Sequence, residues 1–122
     1  MNQNQQKLRM LEGNSVIRRI AKITPTKLGL FVTLWKRPVP GGVIMPFDST
    51  DDIDFIVVNV AEKNDAGQFI FDRKTLIAQG VMSTNGKGGK RALRVYPPWT
   101  KPQNKQALKT QEWQLEHFFA ST

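Results

Sequence analysis

The sequence predicts a mixed α/β fold of the α+β kind: a central, mostly antiparallel or mixed sheet of about five or six strands, with a short helix and a C-terminal helix. Three observations carry that prediction. Short runs rich in Val, Ile and aromatic residues recur between clusters of Gly, Pro, Asn and Asp, as strands do between turns. One of them, 53–60, is almost continuously apolar, which suits a strand buried on both faces. Near the C-terminus, over 104–119, the spacing of apolar residues changes to a helical period.

Taken in order, residues 1–6 are polar and expected to fray, and 7–11 alternates enough to open a strand. Glu12-Gly13-Asn14-Ser15 reads as a turn, so 7–11 and 16–23 are expected to pair as a hairpin. Pro25 ends that pairing, because its ring fixes φ and supplies no N–H to a ladder. Residues 30–35 (Leu-Phe-Val-Thr-Leu-Trp) form the clearest strand. A loop at 38–42 and a polar stretch at 48–52 lead into the 53–60 strand, and a turn at 64–67 leads to a short partner strand at 68–71. Asp72 stands where a helix N-cap belongs, and the helix over 73–79 stops at Gly80. Residues 85–90 (Asn-Gly-Lys-Gly-Gly-Lys) read as a flexible loop, and 92–96 as a last strand closed by Pro97-Pro98-Trp99. On the terminal helix, Leu108, Leu115 and Phe119 share the face expected to be buried. No repeat or heptad run divides the chain, so 1–122 reads as one domain.

Composition excludes several chemistries. The 122 residues include no cysteine, which removes thiol nucleophiles, disulfide frameworks and Cys-based zinc sites. With His117 as the single histidine, a His-based metal cluster is excluded too, and His117 is expected to be structural. No stretch approaches the ~20 apolar residues of a membrane span, and the Asn- and Gln-rich start has no apolar core of a signal peptide. A cytoplasmic protein with no membrane partner is therefore expected. The net charge of +8 favours polyanionic partners, nucleic acid first.

That charge is unevenly spread. Residues 13–47 hold six Lys and Arg and no acid, 48–72 hold seven carboxylates and one Lys, and 73–111 hold nine Lys and Arg and no acid. Lys36, Arg37, Lys87, Lys90, Arg91 and Arg94 are the residues expected to contact an anion, with the glycines of 86–89 allowing close backbone approach to a phosphate. No Walker spacing accompanies them. Trp35, Tyr96, Trp99 and Trp113 are aromatic surfaces on which bases could stack, Trp99 being the one expected to be partly exposed.

Several words carry a family resemblance. Ala21-Lys22-Ile23-Thr24-Pro25-Thr26-Lys27-Leu28-Gly29, Phe31-Val32-Thr33-Leu34-Trp35-Lys36-Arg37, Pro46-Phe47-Asp48, Leu76-Ile77-Ala78-Gln79-Gly80 and Gly89-Lys90-Arg91 occur in an order that resembles the MepB family of small bacterial proteins. The resemblance runs from about Arg18 to Phe119 and implies a fold similar to the restriction-endonuclease-like core. It implies no activity, because the family has no established one. Relative to the family pattern the N-terminal region is short and Gln-rich, and Asp72 stands where the pattern usually has Pro.

A nuclease of that fold needs a carboxylate at the start of one strand and an acid-x-Lys word on its neighbour, the two acids holding Mg²⁺. Asp54 and Asp72-Arg73-Lys74 match formally, although Asp72 is accounted for as an N-cap and the word is common by chance. Asp48, Asp51, Asp52 and Asp54 crowd one loop without the EF-hand order, and are expected to cap turns or pair with Lys22, Lys36 or Arg37. The preferred reading is a non-catalytic basic module that binds nucleic acid or another polyanion, without a cofactor. The alternatives are an accessory protein that docks on a protein partner, with an exposed apolar patch near Trp99, and a Mg²⁺-dependent nuclease or its inactive relic.

Overall fold

The apolar run in the middle of the chain becomes the spine of the structure, a computed structural model that describes residues 3–121. Strand β6 (Phe55–Glu62) and strand β7 (Asp65–Asp72) form an eight-residue hairpin closed by Lys63 and Asn64, with Lys63 in the left-handed region at φ 54°. Strand β1 (Val16–Ile20) lies parallel to β6 on one side, and β9 (Phe118–Ala120) lies antiparallel to β7 on the other. A second sheet has the order β2 (Lys22–Ile23), β3 (Leu30–Thr33), β8 (Ala92–Val95), all antiparallel. Strands β4 (Trp35–Lys36) and β5 (Met45–Pro46) make a small third sheet. The helices are α1 (Gln3–Leu11), α2 (Arg73–Ala78) and α3 (Lys105–Leu115). The class is mixed α+β, as expected, with the strands divided among sheets of four, three and two.

Burial explains the two large sheets. On β6, Ile56, Val57 and Val58 are consecutive and fully buried, so the strand is covered on both faces. One face, carrying Ile56, Val58, Val60, Phe69 and Phe71, shares a core with Leu30, Val32, Leu34, Leu93 and Val95 of the second sheet. The other face carries Val57 opposite Ile70 and Asn59 opposite Gln68. There Gln68 donates to Asn59 and accepts from Lys7 of α1. Helix α2 begins at Asp72, whose carboxylate accepts from Thr75 N at 2.8 Å, and ends before Gly80 at φ 70°, as the sequence indicates.

Four expectations are corrected. Residues 7–11 are helical, not a strand: Lys, Leu, Arg and Met are good helix formers, and nothing β-branched opposes them. The same helix takes in 3–6, expected to fray; residues 1 and 2 lie outside the described residues. With no strand before it, β1 finds its partner in β6 and not in a hairpin. At 64–67, Asp65, Ala66 and Gly67 belong to β7, and Gly67 is there for space. A Cβ on it would stand 2.3 Å from the Phe118 ring.

The fourth concerns α3, which ends at Leu115 and lets 118–120 return as a strand. Its buried face is not Leu108 and Leu115, both exposed, but Ala107 and Gln114, with Thr110, Gln111 and Trp113 half-buried. Strand β8 is the edge of its sheet and has backbone groups to satisfy. Gln114, wholly buried, donates Nε2 to Arg94 O at 3.0 Å and accepts from Tyr96 N at 2.9 Å. Gln111 Nε2 lies within 3.3 Å of the carbonyls of Tyr96, Pro97 and Thr100. Gln114 thus does for the end of β8 what another strand would do, and Gln111 satisfies the turn that follows it. Replacing Gln114 with Leu is expected to destabilise the fold by about 2–4 kcal/mol, since it orphans a buried donor and acceptor. Leu108→Ala, on the face that periodicity favours, is expected to change stability by no more than about 0.5 kcal/mol. Urea denaturation of the two variants measures the contrast.

Candidate functional site

Strand β8 and the segment before α3 border one of the surface depressions. It is a groove of about 540 Å³ between β8, the loop at 27–28 and residues 102–110. Lys27, Lys90 and Arg94 line it together with Tyr96, Asn104 and Gln106. Arg94 is held by neutral groups: its guanidinium donates to Thr24 Oγ1 at 3.0 Å and to Leu28 O at 3.2 Å, and lies 5.9 Å from the Phe31 ring centroid. Those contacts orient the charge without cancelling it. A second groove, lined by Lys63, Lys101, Glu62 and Asp65 among others, shares Lys27, Leu28 and Gln103 with the first.

The six residues expected to contact an anion divide. Lys90 and Arg94 meet in the groove. Lys36 is bound to Asp51, both carboxylate oxygens at 2.7 Å, the one ion pair among the described residues. Arg37 lies over the Trp35 ring at 5.3 Å and donates to Gly42 O. Lys87 and Arg91 are exposed and outside the groove lining. Lys27 was not singled out in sequence. Its position between Pro25 and Gly29, a turn that returns the chain beside β8, was the available signal.

The loop at 85–90 is not an unattached one. Thr84 and Lys87 exchange backbone hydrogen bonds, Lys90 N donates to Val81 O, and Gly86 N donates to the Asp48 carboxylate at 2.9 Å. A Cβ on Gly89 would stand 2.8 Å from Ser83 N and from Pro46 Cβ, so the close approach that this glycine permits is to the protein itself.

Four of the acids, Asp48, Asp51, Asp54 and Asp72, are committed to internal structure. Asp48 is buried and accepts from Ser83 Oγ at 2.6 Å, Gly86 N, and Thr50 N and Oγ1. These hydrogen bonds, Ser83 foremost, hold its carboxyl well below the usual carboxylate range against the opposing effect of burial. Asp51 accepts from Asp48 N as well as from Lys36. Asp54 accepts from Ser15 N at 2.9 Å, while its own N–H donates to Ser15 O. Around Asp72, burial opposes ionisation. The Thr75 hydroxyl and N–H, with the nearby charges of His117 and Lys74, outweigh it and lower the pKa.

Asp54 and Asp72 do end neighbouring strands, Phe55 facing Asp72 and Arg73 N donating to Asp54 O. Lys74 is exposed on α2. Yet each carboxylate caps a backbone N–H, and no group of three His, Asp or Glu among the described residues is placed to hold a metal ion. This donor set does not fit Mg²⁺.

The remaining aromatics and His117 have structural surroundings. Trp99 is half-buried, donates Nε1 to Glu62 at 3.0 Å and meets Phe118 edge-on, with the exposed Ile23 and Leu28 lining the second groove beside it. Trp113 and His117 pack against Phe71, and His117 Nε2 is 3.4 Å from Thr75 Oγ1. Tyr96 alone of the four aromatics faces the first groove.

Comparison with known proteins places this architecture. The family model described as MepB-like matches residues 2–120, and the chain belongs to that family. A solved structure described as the crystal structure of MepB is similar to it at 34% identity and a TM-score of 0.84, over 91% of this chain and 74% of that one. No curated protein matches the sequence. No helix among the described residues is long and apolar enough to cross a membrane.

The Asp48 cluster has a consequence for acid stability. A carboxyl whose folded pKa is depressed contributes stability above its unfolded value of about 3.9 and loses it as pH falls below that value toward the folded one. The stability of the native chain is therefore expected to fall steeply on acidification through and below about pH 4. Asp48→Asn should be less stable near neutrality and show a flatter profile below about pH 4. Denaturation midpoints measured across that range test this.

Proposed function

We propose that the protein is a non-catalytic binding module for a polyanion, nucleic acid first, and that the groove along β8 is its binding surface. The observation that carries this reading is that Lys27 and, from a distant stretch of chain, Lys90 and Arg94 line one groove, and none of them is paired with a carboxylate among the described residues. Asp48, Asp51 and Asp54 are engaged by Ser15, Thr50, Ser83, Gly86 and Lys36, while Glu62 and Asp65 line the adjoining groove that shares Lys27. An excess of eight positive charges is thereby left largely to the solvent-facing surface, where it attracts a phosphate backbone and displaces its counterions. A nuclease reading has less support, because its acids are engaged as backbone caps.

A second reading has its own observation. Val39 and Val43 are exposed on the segment joining β4 and β5, and Met45 is exposed at the start of β5. That apolar segment suits contact with a protein partner, away from Trp99.

Fluorescence anisotropy with a labelled oligonucleotide, at about 50 and about 200 mM salt, separates the readings. Affinity is expected to fall with salt. Lys27→Glu with Lys90→Glu should weaken binding at least tenfold and flatten the salt slope by about one unit for each phosphate no longer neutralised. Arg37→Ala should change little. Absence of binding, or charge variants that bind like the native chain, contradicts the proposal.

A further inference from the structure

The groove contains a part that charge attraction alone does not use. Tyr96 is its aromatic wall, and it is fixed from three sides. Its N–H donates to Gln114 Oε1 at 2.9 Å, and its carbonyl accepts from Gln111 Nε2 at 3.3 Å. Its ring lies against Gly29, which has φ of 80°. A Cβ at Gly29 would stand 2.8 Å from Tyr96 Cδ1 and equally close to Val95 O, so any other residue there displaces the ring or the strand. A ring held this way loses little conformational entropy when something stacks on it.

The surroundings are sorted by chemistry. Leu28 and Leu93 give the groove an apolar side, Asn104 and Gln106 offer amides, and Lys27, Lys90 and Arg94 supply positive charge. An unpaired nucleotide has the matching parts: a flat π face, a base edge of donors and acceptors, and flanking phosphates. A recess of about 540 Å³ is within the size range of small-ligand sites. Bases inside a duplex are stacked and turned inward, and cannot enter such a recess without leaving the helix.

We propose that the groove is a subsite for one unpaired nucleotide of a single-stranded nucleic acid, with its base stacked on Tyr96. This rests on the polyanion reading above and narrows it: the duplex is bound by charge alone, the single strand by charge and stacking.

The test uses the full chain and a short single strand carrying one 2-aminopurine, beside its duplex. Binding of the native protein is expected to change the 2-aminopurine fluorescence, as stacking on an aromatic ring does, and to favour the single strand over the duplex. Tyr96→Phe should keep both properties. Tyr96→Ala should weaken single-strand binding roughly tenfold, leave duplex binding unchanged and abolish the fluorescence response. The response of the native protein needs no variant to fold, and its absence on saturation overturns the subsite. So does a Tyr96→Ala variant that keeps native single-strand affinity. If Lys27→Glu and Lys90→Glu still weaken binding in that case, the polyanion reading survives without the subsite. If no nucleic acid binds the native chain, both fail.

Discussion

A buried glutamine holds together the end of this molecule that carries the groove. Strand β8 is an edge strand, and an edge buried under a helix needs partners for its backbone groups. Gln114 provides them through both ends of one amide, and Gln111 gathers three further carbonyls from the turn that follows. The arrangement sets where α3 lies, and with it the far wall of the groove. It also fixes the backbone on either side of Val95, so that Arg94 and Tyr96 project from a strand with little freedom to shift. Charge and aromatic surface are thus placed by a polar contact in the interior.

A second economy governs the charge. Cationic and anionic stretches alternate along the chain, and mutual neutralisation would be the ordinary outcome. Instead Asp48, Asp51, Asp54 and Asp72 serve as local fasteners. Asp48 ties the 83–86 turn to its own loop, Asp54 ties the start of β1 to β6, and Asp72 begins α2. Such bonds to N–H and hydroxyl groups are stronger and less sensitive to salt than exposed ion pairs. They also leave the cations of β8 and the 27–28 loop unneutralised, which is the electrostatic basis for reading the groove as a polyanion site.

Much of this was legible in the sequence where one physical signal acted alone. The 53–60 run, the Asp72 cap and the Gly80 stop rest on local chemistry that tertiary contacts reinforce. The buried face of α3 was not legible, because its residues are chosen for hydrogen bonds to β8 and not for apolarity, so Leu108 and Leu115 drew attention to the wrong side. Gly67 resembled a turn residue when its true constraint was the Phe118 ring. The parallel pairing of β1 with β6 spans more than thirty intervening residues, which local patterning does not reach. Of the groove, Lys90, Arg94 and Tyr96 were identifiable from sequence. That they stand together with Lys27, while Lys36 is tied to Asp51, needed the fold.

The most direct test of the groove as the binding surface is a map of where nucleic acid touches the protein. Backbone amide chemical shifts of the isotope-labelled chain, followed during titration with a short single strand, supply that map. Shifts concentrated at 27–29, 90–96 and 102–110 are the expected result. Shifts centred on the 38–45 segment, or none at saturating oligonucleotide, would contradict the account.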